Sequence, residues 1–84
     1  MQIDFTQHAL ARMAERGISQ LEVLATLAQP LNTVEADNGR QEARGWIERS
    51  GKRQLLRVIY EGSTVVMVVT VIATSKFAKY GVNP

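Results

Sequence analysis

Hydrophobic and polar positions along this chain repeat with two different periods, and the change of period falls near Pro30. Before it, apolar residues recur three and four apart; after it, they recur at every second position between clusters of turn residues. The first period predicts two helices. Thr6 is suited to cap Gln7 to Arg16, whose apolar arc is Leu10, Met13 and Ala14 with Ala9 and Ala11 beside them, and Gly17 supplies the stop. Ser19-Gln20-Leu21-Glu22 reads as a capping box that opens a second helix ending at Gln29-Pro30. Leu21, Leu24, Ala25 and Ala28 form its expected buried stripe, flanked by Val23 and Leu27. Helices this short are marginal alone, so both must dock on a sheet.

The second period predicts strands at about Thr33 to Ala36, Gln41 to Glu48, Arg53 to Tyr60 and Thr64 to Thr74. Asp37-Asn38-Gly39-Arg40 holds the Asn-Gly pair of a two-residue type I′ hairpin, and Arg49-Ser50-Gly51-Lys52 and Glu61-Gly62-Ser63 mark two further tight turns. The expected fold is therefore α+β: two N-terminal helices packed on one face of an antiparallel four-stranded meander, in a single domain over residues 1–84. Ile3 and Phe5 suggest a short additional edge strand.

Turn positions also set register. A Ser50-Gly51 loop places Glu48 opposite Arg53, Trp46 opposite Leu55 and Arg44 opposite Arg57. A Gly62-Ser63 loop places Tyr60 opposite Val65, Val58 opposite Met67 and Leu56 opposite Val69. One face then carries Ala43, Ile47, Leu56, Val58, Tyr60, Val65, Met67, Val69 and Val71, and receives the helices. The other carries Arg44, Trp46, Glu48, Arg53, Leu55, Arg57, Ile59, Val66, Val68, Thr70 and Ile72, a mixed basic, aromatic and apolar surface.

Composition narrows the chemistry. With no cysteine and one histidine in 84 residues, disulfides, thiolate catalysis and the usual zinc ligand sets are excluded, and neither a metal nor another cofactor is expected. The opening residues lack a basic stretch followed by an apolar one, and the longest apolar run, Thr64 to Ala73, is far short of the ~20 residues of a membrane helix. The expected address is the cytoplasm, with no membrane partner. The net charge of +2 conceals an asymmetry: residues 1–37 are net −3 and residues 38–84 are net +5. Basic character concentrated in the C-terminal half points to a polyanionic partner.

Three groups of residues are candidates for function. Arg44 opposite Arg57 is a like-charge cross-strand pair that wants an anion or an acid between its members. Phosphate suits guanidinium forks, with Trp46 and Arg53 alongside as a stacking and binding surface for an unpaired base, whereas Glu42 and Glu48 offer internal neutralisation instead. His8, Arg12 and Arg16, spaced by four, lie along one helix face, where the histidine can exchange a proton near neutral pH or the stripe can simply be solvated. In the tail, Lys76 and Lys79 can reach phosphate and Tyr80 can stack or donate a proton, while Phe77 and Tyr80 are expected to pack back over part of the sheet. A helix docked through Leu10 and Met13 turns His8, Arg12 and Arg16 away from the arginine pair, so the first two groups do not form one site unless the helix sits at a sheet edge.

Phe5 to Ser19, with its His, two Arg and Gly-Ile-Ser, together with Val23, Pro30, Val69-Thr70-Val71 and Lys79-Tyr80, resembles the bacterial domain-of-unknown-function family 4258. That family resembles in turn the RelE and ParE toxin superfamily of bacterial toxin–antitoxin systems, whose RelE branch includes metal-independent ribonucleases. The resemblance implies a toxin-like, RNA-directed protein, with His8, Arg12, Arg16 and Arg57 as catalytic candidates. Arg44, Trp46, Arg53, Lys76, Lys79 and Tyr80 would then contact nucleic acid. RNA or the ribosome and an antitoxin protein are the implied partners. The chain departs from the RelE pattern in lacking a basic residue on Thr64 to Thr74. The alternative is a noncatalytic nucleic-acid-binding or protein-interaction module, a homo-oligomer or hetero-complex joined through a sheet face that two short helices leave uncovered.

Overall fold

In the computed structural model, which describes residues 2–82, the elements run β1 (Gln2–Phe5), α1 (Gln7–Arg16), α2 (Gln20–Ala28), β2 (Asn32–Glu35), β3 (Gln41–Arg49), β4 (Lys52–Glu61) and β5 (Val65–Thr74). Short 3-10 turns occupy Asp37–Gly39 and Ala78–Tyr80. Met1, Asn83 and Pro84, at the ends of the expected domain, lie outside the described residues. The helix boundaries follow from local chemistry. The Thr6 hydroxyl accepts from Ala9 N at 3.0 Å, Gly17 closes α1 in the left-handed region at φ 65°, and the Ser19–Glu22 capping box is formed in both directions. No helix among the described residues is long and apolar enough to cross a membrane.

The sheet has five strands in the order β1-β5-β4-β3-β2, and it is mixed. The expected four-stranded antiparallel meander is one part of it; Ile3 and Phe5 belong to β1, which pairs parallel with β5 and adds a fifth strand. The β3–β4 hairpin has the expected register, with Glu48 opposite Arg53, Trp46 opposite Leu55 and Arg44 opposite Arg57. Ser50 and Gly51 both have positive φ there, as a type I′ loop requires. At the β2–β3 turn, Asn38 and Gly39 also take positive φ, but Ala36 N bonds to Arg40 O, so the loop holds three residues rather than two.

The β4–β5 register departs further from expectation. Glu61 pairs with Met67 and Tyr60 with Val68, a slip of three residues, because Val65 to Val68 are held on their other side by Gln2 to Phe5. An odd slip turns every side chain over. Val66 and Val68 therefore face the helices, not the open side. A bulge at Val69 adds one residue, so Ile59 meets Thr70 and Val58 meets Val71, and from there the strand recovers its expected faces. Thr6 secures the bulge: its amide donates to Val68 O and its hydroxyl to Val69 O, both at 3.0 Å.

Between sheet and helices the core consists of Ile47, Leu56, Val58, Val68 and Val71 against Ala9, Met13, Ile18 and Val23, with Ile3, Phe5, Leu27 and Ala73 at its margin. Full burial of each Leu or Val contributes about 1.5–3 kcal/mol. Leu10 is 42% exposed, and the outward shift of the α1 arc leaves Ala9 and Met13 as its buried residues. The turn of α2 is larger. Val23 and Thr26 are buried and Leu21 is 78% exposed, the reverse of the expected stripe. Two contacts impose this orientation. Thr26 lies over Gly45, where a Cβ would come within 2.7 Å of its Oγ1. Arg49 from β3 grips both Glu22 carboxylate oxygens and the Gly17 carbonyl. Hydrogen bonding to Arg49 outweighs the opposing desolvation and, with Ser19, lowers the Glu22 pKa from 4.5 to about 2.

Candidate functional site

On the sheet face opposite the helices, alternation along β3 aligns Glu42, Arg44 and Trp46, and β4 sets Ile59, Arg57 and Leu55 against them in that order. Glu42 is 4% exposed. Its carboxylate accepts from Arg44 Nε at 2.7 Å and from Arg57 Nε and Nη2 at 3.0 and 2.8 Å. The like-charge arginine pair thus has its acid from within the chain. Burial pushes the Glu42 pKa upward, but the hydrogen bonds and charges of Arg57 and Arg44 overcome that and hold it below its ordinary value. Hydrogen bonding to Glu42 correspondingly raises the Arg57 pKa against the effect of burial.

The tail completes this face. Phe77 meets Trp46 edge-on with ring centroids 4.9 Å apart, and Leu55 beneath is fully buried although no helix lies on that side. Tyr80 sits over the cluster: the Arg57 guanidinium is 4.3 Å and that of Arg44 5.3 Å from its ring centroid. Arg57 Nη1 donates to Tyr80 Oη at 3.0 Å, and Arg44 Nη1 donates to the Tyr80 carbonyl at 3.1 Å. Packing of Phe77 and Tyr80 onto the sheet agrees with expectation and covers the part of that face around Trp46, Arg44 and Arg57.

Beside the cluster lies an open cleft of about 400 Å³, lined by Asp37, Arg40, Glu42, Arg57, Ile59 and Thr70 among others. Arg40 on its rim is paired with Glu61 at 3.3 Å. The cleft wall thus carries the guanidiniums of Arg40 and Arg57 and the carboxylates of Asp37 and Glu42, and the Tyr80 hydroxyl reaches it only through Arg57, beside a groove wide enough for a small anionic group. Such a set can hold an oxyanion and exchange protons with it.

The structure brings together Arg44, Trp46, Arg57 and Tyr80 from the candidate residues. Arg53 lies 5.1 Å over the Trp46 ring and Lys79 is 5.8 Å from the Tyr80 ring, both at the margin. Lys76 is exposed beyond β5, its amide bonded to Thr74 Oγ1. His8, Arg12 and Arg16 are exposed on α1, where Arg12 pairs with Glu15 at 3.2 Å. Because α1 packs on the opposite sheet face through Ala9 and Met13, this stripe does not join Arg57, and the four residues grouped as catalytic candidates form two separate sets. Glu48 is exposed and takes no part in neutralising the arginines. Glu42, expected only as an internal neutraliser of the arginine pair, takes that place, as alternation two residues from Arg44 on one face and diagonal to Arg57 allows. Asp37 and Arg40 are cleft residues that the candidate set lacked, and they depend on the loop between β2 and β3. Among the described residues, no three His, Asp or Glu side chains gather where they could hold a metal ion.

Neither a comparison with curated proteins nor one with solved structures finds a match. Residues 5–77 match the family described as Domain of unknown function (DUF4258), a span that includes β3, β4, β5 and both helices and stops just short of Tyr80. A match over most of the chain settles membership: this protein belongs to the DUF4258 family.

Proposed function

We propose that this protein is a toxin-like, RNA-directed enzyme that cleaves a phosphodiester in the cleft beside Arg57, using side chains alone. The observation that carries the reading is the Arg57 guanidinium, which binds the Glu42 carboxylate through two nitrogens and the Tyr80 hydroxyl through a third at the cleft wall. In this reading Arg57 and Arg44 stabilise charge building on the phosphoryl oxygens. Glu42 takes the proton from a 2′-hydroxyl that attacks the adjacent phosphorus, and Tyr80 gives its hydroxyl proton to the departing 5′-oxygen, leaving a 2′,3′-cyclic phosphate. The basic C-terminal half and the resemblance to RelE and ParE toxins support the choice of RNA. His8, Arg12 and Arg16, on the far side, have no part in this step.

Incubation of the pure protein with RNA, free and on ribosomes, in the presence of EDTA tests the reading. Cleavage is expected from wild type and from His8→Ala, and loss of at least about a hundredfold from Tyr80→Phe and Arg57→Ala, the usual weight of a general acid or an oxyanion donor. No cleavage by folded wild type, or cleavage at the wild-type rate by either Tyr80→Phe or Arg57→Ala, would overturn it.

A second reading rests on the same Glu42: one carboxylate held between two guanidiniums leaves the cluster a net positive charge, and the face binds nucleic acid without cutting it. That module would show RNA binding that weakens steeply with salt and no product.

A further inference from the structure

A second cavity, of about 330 Å³, backs onto the cleft from the helix side of the sheet. Strand alternation makes the two neighbours. Glu42 and Ile59, directly paired across β3 and β4, turn to the cleft, and Gln41 and Tyr60, paired on the next rung, turn to the cavity. Leu27 of α2, Val66 of β5 and the turn residues Gly62 and Ser63 complete its wall. Arg40 and Glu61, bridged at 3.3 Å, lie just beyond that rung at the sheet end, and Arg40 itself lines the cleft.

None of the six wall residues is charged, so a phosphate or a carboxylate finds no counter-ion inside. Val66 is buried and Leu27 half-buried, which makes two sides apolar, while Tyr60 supplies an aromatic ring. The Gln41 amide and the hydroxyls of Tyr60 and Ser63 make no hydrogen bond to another described residue. Nor are they sealed away, since Arg49 Nε is the one buried side-chain polar atom without a partner among the described residues. An amide with donor and acceptor side by side, a ring to stack on and apolar walls suit a flat, neutral heterocycle that carries donors and acceptors of its own.

We propose that this cavity is a base subsite: it takes one unpaired nucleobase of an RNA strand whose phosphate lies in the cleft, the strand crossing the sheet end at Arg40. Tyr60 stacks on the base, and Gln41 bonds to its edge. The division of labour follows the charges, with guanidiniums on the cleft side for phosphate and an uncharged wall on the cavity side for the base. Naming RNA as the source of the base rests on the function proposed for the cleft, and experiment separates the two.

Methyl resonances of Leu27 and Val66 in the full chain report whether the cavity is filled. The probe is a short oligoadenylate with its 2′-oxygens methylated, which lacks the hydroxyl that cleavage needs; adenine suits Gln41, whose amide can meet N6 and N7 together. Saturable shifts are expected at both residues, and none from ribose 5-phosphate, which has the anion but no base. Gln41→Ala and Tyr60→Leu, each checked by circular dichroism, are expected to weaken oligoadenylate binding at least about fivefold, the lower end of what one base stack contributes. Gln41→Ala alone decides the point if the tyrosine variant does not fold. Resonances unmoved at about 1 mM oligoadenylate, moved equally by ribose 5-phosphate, or moved as readily in Gln41→Ala would overturn the proposal. So would adenosine binding as tightly as the oligoadenylate, since the occupant would then be a free nucleoside with no strand in the cleft. RNA left uncut while the shifts persist would remove the cleavage reading and support the subsite.

Discussion

Glu42→Gln isolates what the internal carboxylate does. The substitution keeps side-chain size and one acceptor oxygen, but removes the charge and turns an amide NH₂ towards a guanidinium. Arg44 and Arg57, directly paired across β3 and β4, are then left with no acid between them. Breaking a buried ion pair costs about 3–5 kcal/mol. The Glu42 side chain is 5% exposed, but those of Arg44 and Arg57 are 12% and 17%, so water relieves part of the penalty and about 2–4 kcal/mol is expected. For a chain whose total stability should be about 4–13 kcal/mol, that is a large share, and Tm should fall by more than about 10 °C. Urea denaturation of both proteins measures it. A second arm asks whether the carboxylate stands where an oxyanion would bind. Sulfate at about ten times its dissociation constant should return about 1.4 kcal/mol to Glu42→Gln and little to wild type. A loss under about 0.5 kcal/mol would refute the energetic reasoning, and equal stabilisation of both proteins by sulfate would refute the idea that Glu42 fills an anion position.

Acid titration should reveal both carboxylates, since the Glu22 pKa is about 2 and that of Glu42 also lies below its ordinary value in the folded chain. The unfolded chain takes up protons first as pH falls, so their stabilisation is complete above the ordinary value of 4.5 and disappears progressively towards pH 2. For Glu22 the gap corresponds to roughly 3 kcal/mol, reduced to about 1–2 because its side chain is 28% exposed; Glu22→Gln should show a correspondingly flatter stability profile from pH 5 to 2. Gly45→Ala should cost about 1–3 kcal/mol by forcing Thr26 away, and Thr26→Ala in the same chain should recover most of it in thermal melts; additive losses would show that the contact is not the cause. Thr6→Ala removes the hydroxyl that both caps α1 and satisfies the bulge carbonyl of Val69, and should destabilise by about 1–3 kcal/mol, with amide exchange accelerating at Ala9; unchanged exchange there would argue against the cap.

Some of the site was legible before any folding. The β3–β4 register follows from one two-residue turn, and it alone puts Arg44 against Arg57 beside Trp46. Tyr80 over Arg57 was not, because a tail residue comes to lie on the arginine pair only by way of Phe77 anchoring on Trp46, a contact 31 residues apart in sequence. The two charge clusters needed structure for a different reason: helical spacing shows that His8, Arg12 and Arg16 share a stripe, but only the docking of Ala9 and Met13 shows which sheet face they miss.

Interactions within about four residues were enough for the sequence to determine the helix caps at Thr6 and Ser19, the stop at Gly17 and the positive-φ turn at Ser50-Gly51, since backbone groups there are satisfied locally. The register of β5 and the rotation of α2 belong to the tertiary structure. β5 is paired on both edges, so β1 competes with the turn at Gly62 and the strand meets both neighbours by bulging at Val69. In α2, apolarity on nearly every side gives no preferred inward face, and the choice passes to a missing Cβ at Gly45 and a distant guanidinium at Arg49.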